Sequence, residues 1–539
     1  MKRWNGWGEE SVTYPLAAGA RQYLQSKVPN ASPQRDALLD EVLAQVPSSR
    51  LPSHELVRTD AMDRLRHARG QSFPDWLALR SGRIGAYPDG VAYPSTDEQV
   101  MACLRYAEQV QASVIVYGGG TSVAGHINPV LGQRPVLTLD MCRMEKMEHL
   151  DETSQLATFG AGASGPDIEA RLGRCGYVLG HYPQSFDYST LGGWIATRSS
   201  GQESAGYGRI EQLFAGGTVI TPRGTVKLAP YPASAAGPDM RQLVLGSEGR
   251  MGVITSATVR VSRTPDVRWY QAVFFPDWDS ALAAAREISQ QAPGFTMMRV
   301  STPTETETML ALAGHERLLG ALDVALYLRG ARKQKCLMML GFASTRNRAS
   351  TVRKAAMELA RARRGVYVGQ VFGNTWVASR FRAPYLRNTL WDAGYGLDTL
   401  ETATTWNNVP AVLRDVEAAI EHALDDEDER VHLFSHLSHV YPTGSSLYFT
   451  YAFRLAADPE VSLVRWQKLK AAASAAIVRH NATISHQHGV GLDHASYLRD
   501  EKGELAIKCL GETLRYWDPH GLMNPHKLVA TGAFGDGVA

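Results

Sequence analysis

The stretch Val114-Ile-Val-Tyr-Gly-Gly-Gly-Thr-Ser-Val-Ala-Gly-His126 decides how the rest of the chain is interpreted. Its apolar, β-branched beginning predicts a buried strand, and three consecutive glycines then free the backbone to form a loop. Amides without side chains beside them can approach a bulky anion such as a pyrophosphate. Alone, the pattern is more typical of a flexible turn. A P-loop and a G-x-G-x-x-G motif are both excluded by the glycine spacing and by the missing Lys-Ser or Lys-Thr.

Two further glycine-rich segments strengthen the binding interpretation. Ser189-Thr-Leu-Gly-Gly-Trp-Ile-Ala-Thr-Arg-Ser-Ser-Gly201 alternates small hydroxyls with glycine, a pattern that can line a flat heteroaromatic ring or form an internal packed turn. Leu245-Gly-Ser-Glu-Gly-Arg-Met-Gly-Val-Ile-Thr255 leads into another β-branched run. Three such loops, each tied to a predicted strand, are more than chain reversal requires.

Length and composition indicate an ordinary multidomain globular protein. The 539 residues exceed the ~250 to 300 at which single cores stop growing, so two or more domains are expected. Hydrophobic residues make up 44% and charged residues 20% of the chain. The formal charge of +2, from 56 basic and 54 acidic residues, gives no reason to expect nucleic-acid binding.

The cysteines and the chain's hydropathy predict a cytoplasmic protein. Five scattered cysteines contain no C-x-x-C pair and leave one unpaired in any disulfide scheme, which fits a reducing compartment. The sequence has no 18-residue apolar run, and the beginning Met-Lys-Arg-Trp-Asn-Gly-Trp is too polar for a signal peptide.

Hydrophobic periodicity divides the remaining chain. Pro94-Ser-Thr-Asp-Glu98 predicts a capping box between Ser95 and Glu98 at the start of a helix. Beyond Pro265, strand-like and helical segments alternate, which predicts a second, α+β domain. The acidic run at residues 425–429 is interpreted as a solvated loop.

In their order, the glycine segments resemble the FAD-binding domain of the vanillyl-alcohol oxidase and p-cresol methylhydroxylase flavoproteins. Within this superfamily the chain is most similar to the alkyldihydroxyacetonephosphate synthases, which serve ether-lipid synthesis. The sequence motifs on which the resemblance rests lie at residues 4–8, 118–123, 180–185, 189–198, 246–249, 438–444 and 485–491.

The resemblance implies an α+β fold with a two-part FAD-binding domain of the PCMH type. This domain is expected over residues 71–265, after a helical N-terminal segment over residues 1–70. An α+β substrate (cap) domain is expected over residues 266–505, and residues 506–539 are expected to return to the FAD domain.

The resemblance also implies which residues hold FAD. The pyrophosphate loop would comprise Gly118, Gly119, Gly120, Thr121 and Ser122; the flavin would contact Thr190, Gly192, Gly193, Ser199 and Gly201, with Glu248 and Ile254 beside the cofactor. Relatives with covalent flavin often place a histidine beside the first glycine loop. That neighbourhood here reads Tyr-Gly-Gly-Gly-Thr, so we expect non-covalent FAD.

In the cap, Arg299, Arg387 and Tyr441 match substrate-site positions of the synthases. Arginines can grip a phosphate bidentately, and a tyrosine hydroxyl can relay a proton. Each arginine would serve equally well in a structural salt bridge, and the tyrosine could be a half-buried strand residue. His486 and His488 are the further acid and base candidates, and in an extended segment both would point to the same side.

Gln487 leaves two functions open. The family commonly has three consecutive histidines here, and a glutamine cannot take up a proton at neutral pH. The first function is exchange of the acyl chain of acyl-dihydroxyacetone phosphate for a long-chain alcohol, with the flavin as nucleophile and electron sink. The alternative is an FAD-linked oxidase or dehydrogenase of a 2-hydroxy acid or related alcohol. A non-enzymatic flavin-binding protein is the weakest interpretation.

The expected partners follow from the same resemblance. The substrate is expected to be a small molecule or a lipid, and a lipid requires an apolar tunnel. The mouth of such a tunnel could face a membrane, so peripheral attachment of the protein to a membrane is compatible with this expectation. A homodimer is also compatible with it. His486 and His488 could gather around zinc with His436 and His439, but this spacing alone is poor evidence without cysteines or carboxylates in register. We therefore predict no metal.

Overall fold

The computed structural model describes residues 2–313, 324 and 326–529. Met1 of the predicted N-terminal segment and residues 530–539 of the predicted C-terminal return therefore lie outside the described residues. The described chain mixes helices with four β-sheets of four, five, two and seven strands. This confirms the predicted α+β class.

The first sheet contains the strand that opens onto the glycine loop. Its strands are, in spatial order, Val57–Arg58, Gly90–Ala92, Val136–Asp140 and Ser113–Tyr117. The last three run parallel, and Val57–Arg58 adds an antiparallel edge. The carboxy-terminal chain returns here, because the Val114 amide donates to the Leu522 carbonyl at 2.7 Å.

The second sheet is antiparallel and carries the third glycine loop at the start of a strand. Its order is Met147–Asp151, Leu156–Gly160, Val253–Arg260, Phe214–Thr221 and Gly224–Leu228, and a small separate sheet pairs Tyr177–Val178 with Ser262–Arg263. Phe214–Thr221 and Gly224–Leu228 form a hairpin.

The seven-stranded sheet is the core of the cap. Its antiparallel strands are, in spatial order, Val366–Gly369, Val267–Phe275, Cys336–Ser344, Met297–Ser301, Val431–Tyr441, Gly444–Arg454 and Tyr395–Thr405. Strand side chains alternate between two faces. Met298 and Met338 pack into the main core with helices, whereas their neighbours Arg299 and Met339 line a cavity on the opposite face.

Helices cover both faces of the cap sheet and surround the other sheets. In the amino-terminal half they are Ala18–Lys27, Leu39–Leu43, Ala61–Arg66, Phe73–Ser81, Asp97–Gln109, Gly165–Arg174, Leu191–Thr197, Ser204–Tyr207, Ile210–Leu213 and Arg241–Val244. In the carboxy-terminal half they are Trp278–Gln291, Pro303–Ala313, Arg346–Ala362, Val371–Ser379, Ala383–Asp392, Val409–Glu421, Pro459–Arg479, Leu498–Lys502 and Glu504–Trp517; short 3-10 turns occupy Met141–Arg143, Asp425–Glu427 and Ala495–Tyr497.

One local prediction was wrong by a small margin. The helix Asp97–Gln109 is capped one residue later than expected, since Thr96 Oγ1 accepts from the Gln99 amide at 3.3 Å. The acidic run is largely exposed, as predicted, and Lys468 Nζ donates to Asp426 at 2.6 Å and to Glu427 at 2.8 Å. None of the described helices has both the length and the apolar character needed to cross a membrane.

Candidate active site

A cavity of about 1430 Å³ lies between the glycine loops and the face of the cap sheet that carries Arg299 and Met339. Eleven of the twelve predicted cofactor residues line it: Gly118, Gly119, Gly120, Thr121, Ser122, Thr190, Gly192, Gly193, Ser199, Glu248 and Ile254. Gly201 does not line it. A Cβ there would lie 2.6 Å from the Tyr182 amide nitrogen, so this glycine serves close packing of two loop backbones.

The first two glycine loops form one wall by direct backbone packing. A Cβ on Gly118 would overlap the Thr190 hydroxyl, and a Cβ on Gly119 would overlap the Tyr188 carbonyl oxygen. Within the part of the chain that the structure describes, the amides of residues 119–122 donate to no protein acceptor. Open amides above a cavity suit the diphosphate of FAD, so the residues present fit this cofactor.

Glu248 ties this wall to the segment that carries Gln487. Its carboxylate accepts hydrogen bonds from the amides of Val490 at 2.5 Å and Gly491 at 2.8 Å. His126 Nε2 lies 3.2 Å from the same carboxylate, and His126 Nδ1 lies 2.6 Å from Ser122 Oγ. The cofactor wall and the cap segment are therefore held in one fixed geometry.

The amino-terminal segment contributes to the cavity, which the sequence pattern had not indicated. Trp7 and Tyr14 line it, and the Trp7 backbone exchanges two hydrogen bonds of 3.2 and 3.0 Å with the Asn388 side chain. Lys2 Nζ donates to the Gly119 carbonyl at 2.9 Å. The segment thus bridges the glycine loop and the cap helix Ala383–Asp392.

On the cap wall, strand alternation places Tyr448 rather than Tyr441 at the cavity. Tyr448, Thr450 and Ala452 line the cavity as every second residue of one strand. Tyr441 lies instead at a separate polar cavity of about 530 Å³. Alternation along this strand places Leu447, Phe449 and Phe453 on the core face and Tyr448, Thr450 and Ala452 on the other, so the pattern could have indicated Tyr448.

Arg299 lines the cavity within a chain of polar contacts. Its Nη2 donates to Glu305 Oε1 at 2.8 Å, and Glu305 also contacts His436 Nδ1 at 2.8 Å. Although burial acts to raise it, Arg299 and His436 lower the pKa of Glu305 to about 2. The salt bridge that the sequence left open is present, and it holds Arg299 at the cavity wall.

Arg387 lines the cavity from the helix Ala383–Asp392. It stacks over Trp76 at 4.7 Å, and its Nε donates to the Leu397 carbonyl at 3.2 Å. Its Nη1 contacts the Gln71 carbonyl, while Nη2 lies 3.9 Å from Asp398 Oδ1 and makes no hydrogen bond among the described residues. Burial lowers the pKa of Arg387, with Asp398 opposing that effect. The guanidinium therefore has a donor available for an anionic ligand.

The segment containing residues 485–491 does not alternate as an extended strand would. Gln487 and His488 both line the cavity, whereas the buried His486 faces away from it. Because this segment is irregular, the arrangement expected of an extended segment, with His486 and His488 on one side, is not formed. Burial lowers the pKa of His486 to about 4 and also lowers that of His488.

Glu401 is the centre of this cluster, and no sequence pattern had indicated it. Its Oε1 lies 3.3 Å from His439 Nδ1 and 3.1 Å from His486 Nδ1. Its Oε2 accepts a hydrogen bond of 2.6 Å from Gln487 Nε2. Despite the opposing effect of burial, the two histidines hold the pKa of Glu401 well below its usual range.

Glu401, His439 and His486 have the spacing of a metal site, but the surrounding donors oppose one. Arg209 Nη1 donates to His486 Nε2, which Tyr441 also contacts at 2.7 Å. A nitrogen that accepts from a guanidinium carries no proton, so the proton of neutral His486 sits on Nδ1 and blocks ligation there. The cluster is better described as a carboxylate that accepts several N–H groups.

Comparison with known proteins agrees with the geometry. Residues 88–229 match the family described as "FAD binding domain", and residues 264–528 match "FAD linked oxidases, C-terminal domain". FAD is therefore the cofactor of this chain. Both matches fit an FAD-dependent enzyme.

Two relatives are alkyldihydroxyacetonephosphate synthases. The protein from Dictyostelium discoideum is 30% identical over 485 residues, 88% of this chain and 79% of the relative. The one from Trypanosoma brucei brucei is 29% identical over 486 residues, with the same coverages. A solved alkyldihydroxyacetonephosphate synthase superposes with a TM-score of 0.83 at 26% identity, covering 98% of this chain and 99% of that one. The chain therefore belongs to the alkyldihydroxyacetonephosphate synthase family.

Proposed function

We propose that this chain exchanges the acyl chain of acyl-dihydroxyacetone phosphate for a long-chain alcohol. One observation carries the proposal. A single cavity runs from the glycine loops past Arg299 and Arg387 to an apolar part lined by Leu312, Phe372 and Trp376. The polar part suits a phosphate head and the apolar part suits an alkyl chain.

Named side chains account for the protein's share of the reaction. Arg387, with its available donor, and Arg299 would hold the phosphate. Burial raises the pKa of Tyr448, so its hydroxyl stays protonated and can donate a hydrogen bond to the reacting oxygen. The ring of His488 meets Tyr448 edge-on at 5.7 Å and restricts that hydroxyl's position. When bound, FAD supplies a nucleophile and electron sink.

The cofactor is proposed to be non-covalent. The cavity-lining His126 lies close to the first glycine loop, and both of its ring nitrogens already face polar partners, Ser122 Oγ and Glu248 Oε1. Release of FAD by denaturation without proteolysis, seen as free yellow cofactor after filtration, would support this; flavin retained on the unfolded chain would contradict it.

The apolar end of the cavity is proposed to meet a membrane surface. Val371 lines the cavity and is 67% exposed, and Tyr327 and Leu328 are also exposed. Arg332 stacks over the Tyr327 ring at 4.8 Å, which places a cation beside this apolar surface. Apolar residues with neighbouring cations favour an anionic lipid surface. The homodimer stays a prediction.

A second candidate, oxidation of a 2-hydroxy acid, is favoured by the match of residues 264–528 to FAD-linked oxidases. The same arginines would then hold a carboxylate. Gln487 is compatible with this chemistry, because a histidine elsewhere on the wall could take the hydroxyl proton.

Two parallel incubations of the FAD-loaded protein separate these functions. In one, acyl-dihydroxyacetone phosphate is mixed anaerobically with labelled hexadecanol, and we expect labelled ether product. In the other, D-2-hydroxy acids are added anaerobically, and we expect the visible band of oxidised flavin to persist. Bleaching by a hydroxy acid without any ether product would replace the exchange proposal with the oxidase.

A further inference from the structure

His439 lies on the cavity wall and carries a ring nitrogen that nothing in the described chain occupies. Its Nδ1 faces Glu401 Oε1 at 3.3 Å, and both side chains are buried. Its Nε2 is buried as well and has no hydrogen-bond partner within residues 2–313, 324 and 326–529. A carboxylate that accepts the Nδ1 proton fixes the imidazole tautomer and leaves the Nε2 lone pair free to take a proton.

His486 shares the same carboxylate but lacks such a nitrogen. Its Nε2 already accepts from Arg209 and contacts the Tyr441 hydroxyl at 2.7 Å. The two imidazole rings lie 4.9 Å apart. They occupy neighbouring positions in the fold and are distinguished by the groups that their Nε2 atoms contact. Of the two histidines on Glu401, only His439 lines the cavity.

We propose that His439, oriented by Glu401, is the general base of this cavity, and that Gln487 serves as the tether that fixes Glu401. The proposal rests on the exchange function above. Gln487 donates to Glu401 Oε2 at 2.6 Å, which leaves Oε1 for the imidazoles. Gln487 cannot accept a proton. At the position where the family commonly has a histidine, this chain therefore has a residue that holds Glu401, and Glu401 in turn orients the base at a different position on the wall.

The proton balance of the exchange needs one such group. His439 Nε2 takes the proton that leaves the substrate carbon, and the C–H electron pair remains on that carbon. The carbon–oxygen bond to the acyl group breaks, and the fatty acid leaves as a carboxylate with that bond's electron pair. The alcohol oxygen forms the new carbon–oxygen bond and gives up its proton, which the departing carboxylate takes. A proton returns from His439 Nε2 to the substrate carbon when the exchange is complete, so no net charge accumulates in the cavity. The carboxylate of Glu401 compensates the imidazolium while it exists.

Four charged or titratable groups face His439 from the elements around it. Glu401 Oε1 lies against its Nδ1 at 3.3 Å, and Arg209 is held by the neighbouring His486. His486 and His181 stay neutral, because burial lowers the pKa of His486 to about 4 and that of His181 to about 3. Glu401 is therefore the carboxylate that would compensate a proton on His439 Nε2.

The test compares His439→Gln, His486→Gln and a matched control, His432→Gln, which lies on the same strand but is hydrogen-bonded to Thr308 at 3.0 Å. FAD content and thermal unfolding are recorded first for each protein. We expect His439→Gln to lower kcat by about 10²- to 10⁴-fold, with KM changed by no more than about twofold. His486→Gln should lower kcat less than His439→Gln does, and His432→Gln should match wild type.

A second readout does not need turnover. In ¹⁵N-histidine-labelled protein we expect a neutral imidazole protonated on Nδ1 whose signals vanish in His439→Gln and persist in His432→Gln. An Nε2-protonated His439 would overturn the proposal, as would kcat within about tenfold of wild type in His439→Gln. If wild-type protein with bound FAD forms no ether, the exchange function fails, and the tautomer result still decides the arrangement of His439 and Glu401.

Discussion

The cofactor wall of the cavity presents backbone and small hydroxyls, whereas the cap wall presents charged and ring side chains from several strands and one irregular segment. On the cofactor wall, Gly118 and Gly119 pack directly against Tyr188 and Thr190. On the cap wall, Glu401 collects N–H groups from His439, Gln487 and neighbouring residues. On the cofactor wall, binding depends on the absence of side-chain atoms at these glycines. On the cap wall, the chemistry depends on which functional group each residue carries. This difference separates cofactor binding, which the family shares, from the reaction, which the cap decides.

The largest effect is expected on the cofactor wall. In Gly119→Ala the added Cβ would overlap the Tyr188 carbonyl, which should cost about 3 kcal/mol or more and raise the FAD dissociation constant by at least ~100-fold. Gly132→Ala is the control, since nothing lies within 4 Å of its Cβ. The measurement is FAD fluorescence quenching during titration. Equal FAD affinity in both variants would remove the claim that this wall is closed to added atoms.

On the cap wall, Tyr448→Phe should reduce kcat by about 10²-fold without loss of FAD, because the hydroxyl at the cavity is removed while the ring remains. Tyr441→Phe should change kcat by less than about threefold, since Arg209 still donates to His486. Steady-state ether formation measures both. A larger effect at Tyr441 would show that the separate polar cavity, and not the cap face, takes part in the reaction.

An intermediate effect is expected from Arg387→Lys. An ammonium cannot reproduce the several contacts of the guanidinium, so KM for acyl-dihydroxyacetone phosphate should rise by about 10- to 100-fold, with kcat little changed. Arg414→Lys, at a side chain that is 70% exposed, provides the comparison. If KM stays at the wild-type value, Arg387 is a structural residue and the phosphate lies elsewhere.

The smallest effect concerns pH and the Arg299–Glu305 pair. The pKa of Glu305 is about 2 in the folded protein and near its ordinary value when unfolded. Its contribution to stability is therefore complete above the ordinary value and is lost as pH falls toward about 2. Between about pH 7 and pH 4 the loss should be about 1 kcal/mol. Denaturant unfolding of wild type and Glu305→Gln measures it; equal pH dependence in both would contradict the assigned pair.

The two walls also differ in how far sequence could predict them. The glycine loops were identifiable because their chemistry is local, and eleven of twelve proposed cofactor residues line the cavity. Tyr448 was missed although strand alternation could have indicated it. The orientation of Gln487 depends on an irregular backbone, and the pairing of Trp7 with Asn388 joins residues 381 positions apart. Neither feature has a local pattern from which it could be read.

The most direct test of the account follows one oxygen atom through the reaction. FAD-loaded wild-type protein is incubated with acyl-dihydroxyacetone phosphate and hexadecanol labelled with oxygen-18, and the ether product and the released fatty acid are analysed by mass spectrometry. If the chain exchanges acyl for alkyl, the ether carries the alcohol's oxygen-18 and the fatty acid carries none. An ether without the label, or no ether while FAD remains bound, would contradict the proposed function.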